Sequence, residues 1–274
     1  MDSLEQDTLE VLCLIRSWRN KLAPINRVPP RSSLSFWTDF HCVDAEKTRA
    51  YLKHSKSSPI NLWLDREDGL LPHDPFLQFT PRALHRLNFL YINTIEDHLQ
   101  NITNSFSHPA PLLEDLSICR SSGDPFVNPV LPTTLFDGDL SSLHKLCLYS
   151  VHTKLPWRNM VNLTSFTLGY VLDPGVTVGE LLDFFESAPY LRDVDLTFST
   201  PESGAQTGRL VHLAHLRKIN FYGFQPPSLL LEHLLIPVGV EMTIDLDDDD
   251  LRIEDYFPKS LDNLRNLSNF TKIC

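Results

Sequence analysis

Three groupings in this 274-residue chain place chemistry-bearing side chains at spacings that would let them act together. His212-x-x-His215 would put two imidazoles on one helical face, as a metal site requires, but no third ligand stands at a recognisable spacing. Asp245 to Asp250 (DLDDDD), with Glu254 and Asp255, would offer oxygens to a hard cation. An EF-hand loop also needs a glycine at its turn, and that glycine is missing, which leaves a solvated acidic turn. Cys147 with His144 or His152 would make a nucleophile and its base. Side chains three residues apart on a strand point to opposite sides, so His144 cannot readily reach Cys147. No G-x-S-x-G elbow, Walker-type loop or Rossmann glycine motif occurs, and 10 glycines leave little material for phosphate-cradling loops. The residues therefore predict a non-enzymatic chain with no metal and no cofactor. Its work is binding.

Binding residues need a regular frame, and the sequence contains one. Leu143-x-x-Leu146-x-Leu148 returns 20 positions later as Leu163-x-x-Phe166-x-Leu168. A strand alternates its faces, so Leu146 and Leu148 point one way while Lys145, Cys147 and Tyr149 point the other. Eight such strands are expected, centred on Leu62, Leu87, Leu116, Leu146, Phe166, Val194, Ile219 and Ile244. Their separations run from 20 to 30 residues, close to the range of leucine-rich repeats. Helix-like returns are expected at 94–106, 177–187 and 228–236, with proline punctuating nearly every return. The predicted fold is α/β: an irregular leucine-rich-repeat solenoid over 59–274, a curved parallel sheet with helical or irregular returns, preceded by a helical region over 1–58. The asparagine that usually closes each turn is replaced by Ile92, Ser121, Val151, Val171, Ser199 and Phe224, so the turns must close irregularly.

At the N-terminus, Leu4, Thr8, Val11, Ile15, Trp18 and Leu22 form a heptad-like seam on a helix over 2–23, and a second helix is expected over 44–56 with Asp44 as candidate N-cap. At the other end Leu264, Leu267, Phe270 and Ile273 resemble the approach to one more strand. Residues 261–274 therefore either form a capping helix or belong to a shortened array.

Side chains standing outward between the repeat leucines pave the concave face and are the candidate partner-binding residues. They are Asn61, Trp63 and Asp65; Lys145 and Tyr149; Asp193 and Asp195; and Lys218, Asn220 and Tyr222. Exposed Trp and Tyr among polar neighbours make good anchors; the bland alternative is solvated strand residues, with Trp63 covered by the N-terminal helices. The formal charge of -11 repels phosphate backbones, so nucleic acid is not the expected partner, and a protein target is. The 5 cysteines are scattered without a C-x-x-C, which predicts reduced thiols in the cytoplasm or nucleus. No apolar run approaches the ~20 residues that cross a bilayer, so no membrane role is expected.

Several segments resemble a known family. Pro24-Ile-Asn-Arg-Val-Pro-Pro30 is similar to the opening of the F-box in fungal (basidiomycete-type) F-box/leucine-rich-repeat proteins. Trp37-Thr-Asp-Phe40 and Tyr51-Leu-Lys-His-Ser-Lys-Ser-Ser-Pro-Ile-Asn-Leu62 look like the segment that follows it. Pro111-Leu-Leu-Glu-Asp-Leu116 and Leu182-Asp-Phe-Phe-Glu-Ser-Ala-Pro-Tyr-Leu191 resemble that family's repeat units. The resemblance implies a substrate-receptor subunit of an SCF-type ubiquitin ligase, whose repeats hold the target while the F-box docks on the adaptor subunit. Here Pro30 runs directly into Arg31-Ser-Ser-Leu34, and the helical middle of the F-box is missing. The alternative is a stand-alone leucine-rich-repeat scaffold with no ligase link.

Overall fold

The computed structural model describes residues 38–41, 45–66, 75–121, 129–132, 134–152, 154, 160–171, 176–197, 208–223, 227–245 and 257–258. The heptad-like seam, the prolines at 24–30, Asp44, the acidic run beyond Asp245 and residues 261–274 lie outside the described residues.

One short phrase, repeated, builds the sheet. A buried residue opens a turn, and its carbonyl accepts the N–H of a buried leucine three positions on. Three positions later the alternation of a strand begins. Leu140, Leu143, Leu146 and Leu148 write the phrase once; Met160, Leu163, Phe166 and Leu168 write it again, all buried. Ala110, Leu113, Leu116 and Ile118 follow the same rule, as do Ala188, Leu191, Val194 and Leu196. Pro111 and Pro189 sit at the second turn position, where a fixed φ favours the bend. Each turn carries two apolar side chains inward before the strand starts, so a short strand still buries four.

The strands are β1 (Asp39–His41), β2 (Ile60–Arg66), β3 (Leu87–Thr94), β4 (Asp115–Arg120), β5 (Lys145–Tyr149), β6 (Ser165–Gly169), β7 (Asp193–Thr197), β9 (Lys218–Tyr222) and β11 (Glu241–Asp245), separated late in the chain by the two-residue strands β8 (Val211–His212) and β10 (Leu234–Leu235). The nine longer ones form a single sheet in chain order, β1-β2-β3-β4-β5-β6-β7-β9-β11, with every neighbouring pair parallel. One register row runs Leu62, Leu90, Leu116, Leu146, Phe166, Val194, Ile219 and Met242. Two expected strand centres are thereby corrected. Leu90, not Leu87, occupies the β3 rung; Leu87 is the turn leucine, its N–H bonded to the Leu84 carbonyl. On β11 the rung is Met242, and Ile244 lies level with Phe221. The sheet also begins before residue 59, because β1 already pairs with β2.

The returns close the core from one side. They include α1 (Ala45–His54), α2 (Pro75–Ala83), α3 (Glu96–Asn104), α4 (Val178–Ser187) and α5 (Ser228–Leu231). Thr177 and Glu180 form a reciprocal capping box on α4, which buries Val178, Leu181, Leu182, Phe184 and Phe185. The return expected as a helix over 228–236 is helical only to Leu231; Leu234 and Leu235 instead pair with β8. Val130 bridges His152 in the same parallel sense, so neighbouring returns also touch through backbone. Phe76, Phe106 and Phe136, one from each of three successive returns, pack in a line: Phe76 meets Phe106 edge to face at 6.1 Å, and Phe106 stacks on Phe136 at 5.0 Å between centroids.

The missing turn asparagine has a substitute. Immediately after β5, β6 and β9, Ser150, Tyr170 and Gly223 take left-handed backbone conformations (φ 53°, 54° and 136°). Each donates its N–H to the last carbonyl of the next strand: Gly169, Thr197 and Asp245. The bend swings Val151 and Val171 into the core, where a polar side chain would otherwise bond the loop. No described helix is long and apolar enough to cross a membrane.

Candidate binding face

Alternation sends the second set of strand residues away from the leucines, and parallel register sorts them into rows. Register partners in a parallel sheet lie about 5 Å apart and point the same way, so like positions become neighbours. The first row reads Asp39, Asn61, Phe89, Asp115, Lys145, Ser165, Asp193, Lys218, Glu241. The second reads His41, Trp63, Tyr91, Ser117, Cys147, Thr167, Asp195, Asn220, Thr243. A third carries Asp65, Asn93, Cys119, Tyr149, Gly169, Thr197, Tyr222 and Asp245. All ten candidate residues from the sequence stand on this face. Nine are exposed or half-buried; Asn220 is buried, at 5% exposure.

The structure gathers them into three neighbourhoods. At the β1–β5 end, the ring of Trp63 lies between His41, which stacks on it at 5.5 Å, and Phe89, which is tilted against it at 4.7 Å. Trp63 and Phe89, with Asp39, Asn61, Asp115 and Lys145 of the first row, line a groove of about 300 Å³, joined there by Glu114 and His144. Burial pushes Asp115 above its ordinary carboxylate value, and the Lys145 ammonium opposite only partly offsets this. In the middle, the Cys119 and Cys147 thiols hydrogen-bond to one another, with the Ser117 hydroxyl 3.8 Å from the Cys119 Sγ. That shared bond, with burial, raises Cys119, and the same bond lowers Cys147. Beside them the Tyr149 ring lies over Gly169 and against Tyr170 at 4.9 Å; burial raises its hydroxyl far above the ordinary value.

At the β7–β11 end, Asp193 and Asp195 face Lys218, Asn220 and Tyr222. Lys218 Nζ reaches Glu241 at 3.5 Å across the exposed edge. Burial raises the Tyr222 hydroxyl, and the Asp195 carboxylate adds to it. The two ends share a device: an asparagine amide donates to the aspartate that is its register partner on the preceding strand. Asn61 bonds Asp39, Asn93 bonds Asp65 at 3.0 Å, and Asn220 bonds Asp195. Each carboxylate is thereby held in place without being neutralised.

Sequence reasoning missed Phe89, Tyr91, Asn93, Asp115 and Cys119, and it weighed Cys147 only as a nucleophile. The signal for the first three was present: Leu84-x-x-Leu87-x-x-Leu90-x-Ile92 repeats the turn-plus-strand phrase and fixes the facing of β3. His212 and His215 fall on a two-residue strand and the turn after it, both exposed, and not on one helical face. Among the described residues no group of three or more His, Cys, Asp or Glu could hold a metal ion. In comparisons with known proteins, no family model matches the chain, and neither the curated proteins nor the solved structures give a match.

Proposed function

We propose that the chain is a non-enzymatic protein-binding module, an irregular leucine-rich-repeat solenoid that works in the cytoplasm or nucleus. It holds a protein target on the face away from its core, in the manner of a substrate-receptor subunit of an SCF-type ubiquitin ligase. One observation carries the binding reading: rings, amides and carboxylates from eight of the nine parallel strands stand in rows on the face opposite the leucines. Aromatic anchors among fixed polar groups on a rigid sheet are the usual makings of a binding surface. A photo-cross-linking residue at Lys145 or Lys218 should join the chain to its target, while one at Tyr190, in the turn before β7, should not. Adducts from position 190 alone would overturn the reading.

A second reading, a stand-alone scaffold without ligase link, is favoured by a length. β1 enters the sheet at Asp39, so only residues 31–38 separate it from Pro30. An F-box would need roughly thirty to forty residues of helix there. Capture of purified adaptor subunit at micromolar concentration supports the receptor; its absence leaves the scaffold.

A further inference from the structure

We propose that the groove over β1–β5 is a docking site for an arginine side chain on an extended basic segment of the protein partner. The inference rests on the protein-binding reading and names the chemistry of what is bound. Three observations carry it. First, the groove, about 300 Å³, is the size of one long side chain with its flanking backbone, not of a folded element. Second, its floor is aromatic: Phe89 is packed by Trp63 on one side, while its register partner on the other side is a carboxylate, Asp115. A planar cation can stack on such a ring and bond the carboxylate beside it in one pose.

Third, the charges in the groove are unbalanced. Asp39, Glu114 and Asp115 meet a single ammonium, Lys145. Asp39 is held by the Asn61 amide, which fixes it and leaves its charge intact. Neither Glu114 nor Asp115 makes an ion pair with any described residue, and Asp115 is half-buried and penalised by desolvation. A guanidinium seated there would relieve that penalty and gain charge-assisted hydrogen bonds. Lysine would present the charge without the plane. The whole-chain charge of -11 steers basic segments toward the protein, and the rings give this site its selectivity.

The test is a titration of the full chain with a capped triarginine peptide, followed by backbone and indole NMR shifts, with tricitrulline and trilysine peptides as controls. Triarginine should shift the Trp63 indole and the amides of Asn61, Phe89 and Asp115. It should bind more tightly than trilysine, and tricitrulline should not bind. Glu114→Gln with Asp115→Asn should weaken triarginine at least about tenfold, and Phe89→Leu by a few-fold. Asp183→Asn, exposed on α4 and not on this face, should leave it unchanged. Equal binding of triarginine and trilysine, shifts centred on Asp193 and Tyr222, or undiminished affinity in the double variant would each overturn the proposal. Failure here together with target cross-links from position 218 would remove the arginine site and leave the protein-binding reading standing; loss of those cross-links as well would remove both.

Discussion

The two ends of the sheet's outer face use the same sheet geometry to different effect. Around β1–β3, His41, Trp63 and Phe89 pack on each other, and the amide–carboxylate pairs Asp39–Asn61 and Asp65–Asn93 flank a groove. Around β7–β11, the same pairing joins Asp195 to Asn220, but the Asn220 carbonyl oxygen is buried without a partner. Here Tyr222, not a stack of rings, is the aromatic beside it. Parallel register thus decides which side chains meet, and the residue types at each rung decide whether they make a recess or a flat charged surface. The first end is built to take a side chain in; the second presents charge outward.

That contrast depends on both ends hanging from one continuous leucine wall, so the most damaging change should be to the wall. Leu146, 1% exposed at the centre of the register row, replaced by aspartate loses a packed side chain and buries an unpaired charge. Truncation alone costs about 2–5 kcal/mol, and the charge adds to it. The Leu146→Asp chain should lose its cooperative thermal transition by circular dichroism. Lys145→Asp, one position along and exposed, should keep its cooperative transition, lowered only by the loss of the ammonium that faces Asp115. If both variants melted alike, the facing of β5 would be wrong.

Next come the polar pairs, which distinguish the two ends directly. Asn93→Ala removes a 3.0 Å bond to a carboxylate at a position 5% exposed, a loss of about 1.5–3 kcal/mol. Asn220→Ala breaks the corresponding bond but also removes the unpartnered carbonyl, so its cost should be the smaller of the two. Urea midpoints for the pair give the order; a larger loss at Asn220 would show that its amide oxygen has a donor in solution. Gly169→Ala should be milder still. The new methyl would sit 2.5 Å from the Tyr149 ring, which must swing toward solvent at a cost of about 1 kcal/mol. Tyrosine fluorescence at that end of the middle neighbourhood should change while the far groove stays as it was.

How much of this was legible in the letters follows from the same geometry. The rungs at Leu116, Leu146, Phe166, Val194 and Ile219 could be placed because polar residues alternate with them. On β3 the alternation is silent: Phe89, Leu90, Tyr91 and Ile92 are apolar on both faces, so the period of two gives no phase. The ring floor of the groove was lost through that one slip. β1 has only three residues, too few for a pattern, and α2 contains Pro75 and Pro81, which read as loop. The left-handed closures at Ser150 and Tyr170 have no residue signature at all, since glycine would be the expected choice. What alternation alone leaves open, then, is the phase where both faces are greasy, which on β3 only the turn-plus-strand phrase supplies, and the turns that the backbone makes by itself.

The smallest effect tests the groove end by pH. Asp115 has its folded value raised by burial, so the folded chain holds that proton more tightly than the unfolded chain does. Its ionised form is the penalised one. Stability from this group is therefore present below the unfolded carboxylate value and is lost as pH rises through the folded one. Asp115→Asn removes the titration while keeping the shape. The variant should show a higher urea midpoint than the parent at about pH 7, and the difference should vanish at about pH 3, where the parent's carboxyl is also neutral. A pH-independent difference at Asp115 would mean that Lys145 already compensates the charge in full, and the groove would then have no unmet demand for a cation.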